Sequence, residues 1–267
     1  MNRILVVALV AGALVAGAAL GGLTTDPAAP ATQAKPAPEP LVGATLLDGL
    51  GNYRFPVTSS HPQVQRWFDQ GLMLTFGFNH DAAERSFMKA TELDPGCAMC
   101  WWGAALVLGP HVNSGMDPAR NQDAWARLQR AVALAPKATE RERAFIRALE
   151  ARYAENPPED RRALDEAYAQ STGKLMRDRP DDLDAAVLHA EALMDLQPWD
   201  YYDAQLQPKG NTAQIIAILE SVMKRNPDHA GALHLYVHAV EASADPQRGV
   251  VAADRLRALI PGSGHLV

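Results

Sequence analysis

Cysteine is nearly absent from this 267-residue chain: Cys97 and Cys100 are the only two. A multi-disulfide framework is therefore excluded, and two thiolates alone make an incomplete structural metal site. A basic excess is missing as well. Acidic residues outnumber basic ones by 31 to 25, and no stripe of lysine and arginine gathers anywhere, which argues against nucleic acid as a partner. Aromatic residues make up only 6% of the chain, and no stretch alternates apolar and polar residues with the period of a strand. What remains is rich in alanine, as close helix packing favours, so the composition predicts an all-α fold. There is no phosphate-cradling glycine loop, no serine nucleophile elbow and no HExxH. Those absences weigh against an enzyme, and no catalytic residue is assigned.

What the chain does have is a phrase that recurs. Between Trp67 and Pro95, the residues Trp67, Gly71, Leu74, Ala83, Phe87, Ala90 and Pro95 stand at offsets 0, 4, 7, 16, 20, 23 and 28. Large side chains form a knob layer, small ones sit where two helices cross, and the proline cannot continue a helix. Further prolines that close a similar phrase follow at Pro136, Pro180, Pro227 and Pro261, at intervals of 41, 44, 47 and 34 residues. In spacing the pattern resembles the tetratricopeptide-repeat superfamily, whose unit is about 34 residues. The resemblance covers residues 60–267, closely in the first and last units and loosely between them. It implies a right-handed superhelical solenoid of about five helix pairs with a partner-binding concave face. Phrases such as FNHDAA, CAMCWWG and HLYVHAVEAS resemble exported bacterial members of that superfamily whose function is ill defined; this likeness implies export and a chain that continues beyond Val267, but no activity.

The start of the chain agrees with export. Residues 4–23 carry no charge and are long enough to span a bilayer or to serve as the apolar core of a signal peptide. Residues 1–23 are therefore read as a signal peptide or membrane anchor, and the protein as periplasmic or tethered to the membrane facing the periplasm. Residues 24–40 form a Pro/Ala-rich linker. The repeat domain spans 41–267; its lead-in, 41–63, is irregular, with a short helix expected over Leu41–Leu50.

Candidate site residues fall into three groups. By the register of tetratricopeptide repeats, Phe68, Leu72 and Phe76 line one end of the groove, Trp102, Arg143 and Arg147 its middle, and His234, His238 and Glu241 its far end. Such a groove suits a protein or peptide partner. Trp199 and Tyr201, in the longest insertion, either wall the groove or plug the gap the insertion creates, and Arg143 and Arg147 either meet an anion or belong to a solvated face. Second, His234, His238 and Glu241 stand four and three apart, on one helix stripe with steps of about 6 Å. With His265 they make three imidazoles and a carboxylate, a donor set that suits zinc or copper. Third, Cys97 and Cys100 form a CxxC at a helix start, open to a disulfide, a redox pair or two metal ligands. It is not a haem-attachment motif, because Trp101 stands where a histidine is required.

Overall fold

Proline sets the helix ends. A computed structural model describes residues 43–265, which lie within one folded unit, 41–267. Segments 1–23 and 24–40, with the signal, anchor and linker readings they carry, lie outside the described residues. Ten α-helices form, and there is no strand among the described residues. They are α1 (Val64–Phe76), α2 (His80–Leu93), α3 (Ala98–Leu106), α4 (Asn121–Leu134), α5 (Glu140–Glu150), α6 (Arg162–Asp178), α7 (Leu183–Asp195), α8 (Thr212–Arg225), α9 (Ala230–Val240) and α10 (Val250–Leu259). The even-numbered helices α2, α4, α6, α8 and α10 each stop two residues before Pro95, Pro136, Pro180, Pro227 and Pro261 respectively. Asp94, Arg179, Asn226 and Ile260, each preceding a proline, leave the helical region, whereas Ala135 stays helical and α4 passes into a 3-10 turn, Ala135–Lys137. Starts are set as locally. Thr139 and Glu142 cap α5 reciprocally, each side chain meeting the other's backbone N–H.

Consecutive helices pack on one another throughout. Small residues allow the closest approaches: a Cβ on Gly71 or Gly103 would stand 2.7 or 2.5 Å from the Phe87 ring, which lies between α1 and α3. The helix order also turns back on itself, because α9 contacts α1. Gly231 permits this, since a Cβ there would meet the Phe76 ring at 2.8 Å.

The lead-in departs from expectation. It holds no helix over residues 43–50. Instead the lead-in lies against α1, α3, α5 and α7, its backbone held by side chains. Gln70 accepts from Leu47 N and donates to the Thr45 carbonyl; Asp69 accepts from Phe55 N; Gln65 donates to the Phe55 carbonyl at 2.7 Å. Glu142 accepts from both the backbone and the hydroxyl of Thr58. Phe55 is 1% exposed, with ring centroids 5.4 Å from Phe68, 6.1 Å from Trp102 and 5.2 Å from Phe145. The Tyr53 hydroxyl donates to Asp184, and Gly49 accepts from the backbone of Gly262 at 2.8 Å. One stretch of irregular chain thereby ties α1, α5, α7 and the turn after α10 together.

Candidate metal centre

The turn between α1 and α2 supplies the floor of the site. The N–H of Asn79 reaches the Leu74 carbonyl and that of Phe78 the Thr75 carbonyl, the paired bonds that commonly end a helix on glycine. Here the left-handed position is Phe78, at φ +55°. A bulky residue in that conformation is strained by about 1–3 kcal/mol and persists only where its surroundings fix it.

His234 and His238 come from α9, one turn apart and on the face turned toward α1. His234 is buried, and its Nδ1 lies 2.5 Å from the Phe76 carbonyl. A carbonyl can only accept, so Nδ1 carries the proton and Nε2 a lone pair. His238 Nδ1 lies 2.8 Å from Glu241 Oε1, a carboxylate that can only accept, so Nδ1 carries a proton and in the neutral ring Nε2 holds the lone pair. The two Nε2 atoms then face each other at 2.9 Å. Two lone pairs at that distance repel unless a cation sits between them. On the His234 side a proton is disfavoured, because burial first, and then the neighbouring His238, push that imidazole down to about 3. His265, exposed on the turn after α10, completes the set: one ligand atom from each of the three histidines lies within 4.8 Å of the others. Three nitrogens around a tetrahedral zinc stand about 3.3 Å apart, so small rotations of these rings make a centre. Glu241 is not a ligand in this arrangement. It orients His238 from behind, the role a carboxylate plays behind a metal-bound histidine.

Phe78 touches all three imidazoles, at centroid separations of 4.4 Å from His234, 5.6 Å from His238 and 5.7 Å from His265. Trp199, 49% exposed and also in a left-handed backbone conformation, meets His238 edge-on at 5.2 Å. On the far side of Phe78, His80 and His111 pack together at 4.0 Å. Burial, then His111 and Arg152, push the His80 imidazole down to about 4. Five of the eight histidines thus surround one phenyl ring.

The remaining candidates lie elsewhere. Phe68 and Leu72, assigned to one end of the groove, and Trp102, assigned to its middle, are all buried, Phe68 and Trp102 packing against Phe55 of the lead-in. Phe76 is half-buried and enters the site through its carbonyl. Arg143 and Arg147 both pair with Glu140, on the solvated side of α5. Tyr201 is buried beneath the insertion beside Trp199. Cys97 and Cys100 are bonded to each other and buried, which removes them as ligands to an accessible metal.

No protein-family model matches this chain, and no curated protein sequence does. The site therefore rests on its geometry.

Proposed function

We propose that this chain is an exported metal-binding protein, with tetratricopeptide-like helix pairs acting as the frame for a three-histidine centre. His234, His238 and His265 are the ligands, Glu241 and the Phe76 carbonyl fix the first two, and the metal is copper or zinc. The observation that carries the reading is the convergence of three imidazoles, with the Nε2 atoms of His234 and His238 2.9 Å apart and each Nδ1 engaged by a separate acceptor. Two outward hydrogen bonds that both aim a lone pair at one point are the usual support of metal-bound histidines. A protein or peptide partner in the concave groove is the weaker reading, because Phe55 and its neighbours occupy the apolar end.

Elemental analysis of the full-length chain, dialysed against metal-free buffer, tests this beside a His234→Ala/His238→Ala variant. Near-stoichiometric copper or zinc in the wild type and its loss in the variant are expected. A metal-free wild type that also takes up neither metal on addition would end the proposal. Binding to the folded state alone should also raise the melting temperature, and chelation should reverse the rise.

A further inference from the structure

Resting on the metal reading above, we propose that the centre takes copper in its monovalent state, three-coordinate through His234, His238 and His265, with the Phe78 ring closing the fourth side. The ring positions carry this. The imidazole centroids are 4.6, 5.0 and 5.9 Å apart. Together with the three separations to Phe78, those distances place the phenyl ring off the imidazole plane and over the triangle the histidines form. A tetrahedral dication with three histidines draws its fourth ligand, water or substrate, from such a position. Here that side is occupied by a hydrocarbon ring. Exposed His265 leaves the other face as the route of entry.

Charge points the same way. The three ligands are neutral imidazoles, and the nearby carboxylate, Glu241, is engaged by His238 Nδ1. Bringing a cation out of water costs roughly in proportion to the square of its charge, so a neutral donor set beside aromatic rings penalises a dication far more than a monocation. Copper is among the metals imidazole suits, and a monovalent ion is content with three donors. It also gains from the neighbouring Phe78 and Trp199 rings. The backbone strain at Phe78 becomes intelligible on these terms: glycine would end α1 without cost, but would put no ring over the ligands. A centre built so is suited to holding and passing on a soft monocation, not to activating water.

The test uses the full-length chain with its disulfide intact, verified by the absence of free thiols. Copper(I) is supplied anaerobically with ascorbate and bicinchoninate as competing ligand, and zinc(II) is titrated against a chelating dye. One copper(I) per chain is expected, absent from the His234→Ala/His238→Ala variant, with zinc held at least about tenfold more weakly. Phe78→Gly suits the left-handed backbone and so should fold. It should loosen copper(I) by about tenfold, the size of one desolvated cation–ring contact, and tighten zinc. Zinc preferred over copper(I) overturns the copper assignment and leaves the metal centre standing. Neither metal bound overturns both. Copper(I) retained by the double-histidine variant, or a preference unchanged in Phe78→Gly, overturns the arrangement proposed.

Discussion

Replacing Phe55 by alanine tests whether the lead-in is part of the core. Its ring is buried between Phe68, Trp102 and Phe145, with the Arg141 guanidinium 3.9 Å above its centroid. Removing a buried aromatic side chain forfeits about 1.5–3 kcal/mol of transfer free energy. A cavity on the order of 100 Å³ adds about 2 kcal/mol, less whatever the surroundings recover by collapsing. The guanidinium–ring contact contributes about 0.5–1 kcal/mol more. The expected loss is therefore about 4 kcal/mol, which in a domain of this size lowers the melting temperature by about 8–16 °C. Thermal unfolding followed by far-ultraviolet circular dichroism, with urea titration alongside, reads it. Phe55→Leu keeps most of the volume and should lose no more than about half as much. If Phe55→Ala costs less than about 1 kcal/mol, the strap is peripheral, and the apolar end of the groove is open to a partner after all.

Three other perturbations follow from the same coordinates. Arg152 Nη2 meets Asp195 at 3.0 Å with both side chains buried, while burial raises the neighbouring carboxyls of Asp195 and Glu191; Arg152→Met should cost about 3–5 kcal/mol in urea unfolding, and Asp195→Asn added to it should recover part of the loss. His80 is held neutral to about pH 4, whereas in the unfolded chain it takes a proton near pH 6.5. Its contribution is thus full above pH 6.5 and is lost as pH falls from 6.5 to about 4, so His80→Gln should flatten that limb of the stability curve measured in chelator. The Cys97–Cys100 bond closes a short loop of separation 3 and so constrains the unfolded chain by only about 2 kcal/mol; reduction should lower the melting temperature by about 4–8 °C, and burial should make it slow without denaturant.

The helices were legible because their determinants are local. Pro95, Pro180 and Pro227 act within two residues, Thr139 and Glu142 cap each other across three, and Gly71 and Ala83 mark close crossings in the letters themselves. The four-residue step from His234 to His238 was legible for the same reason. What escaped the sequence depends on residues brought together from far apart. Phe55 sits in a stretch without period, so nothing local marks it as the centre of an aromatic cluster. Phe78 looks like an ordinary turn residue; its left-handed backbone and its position among five histidines belong to the tertiary structure. The groove register put Phe68 and Trp102 on a concave face; both are buried against Phe55 of the lead-in, a contact the register could not show. Glu241 was grouped with the ligands on spacing and groove register, and neither could show its hydrogen bond to His238 Nδ1.

The contact between His234 and the Phe76 carbonyl spans 158 residues of chain. During synthesis the α1–α2 turn emerges first, and Phe78 must wait for nearly the whole domain before any imidazole of α9 can reach it. Loop closure over that length is slow, and the strained turn gains no contact from α9 until it happens. A ribosome stalled just before α9 therefore presents a chain with most of its helices and without the His234–His238 pair. On the proposed reading, metal capture is a late event in the life of the polypeptide, available only to molecules in which α9 has already met the α1–α2 turn.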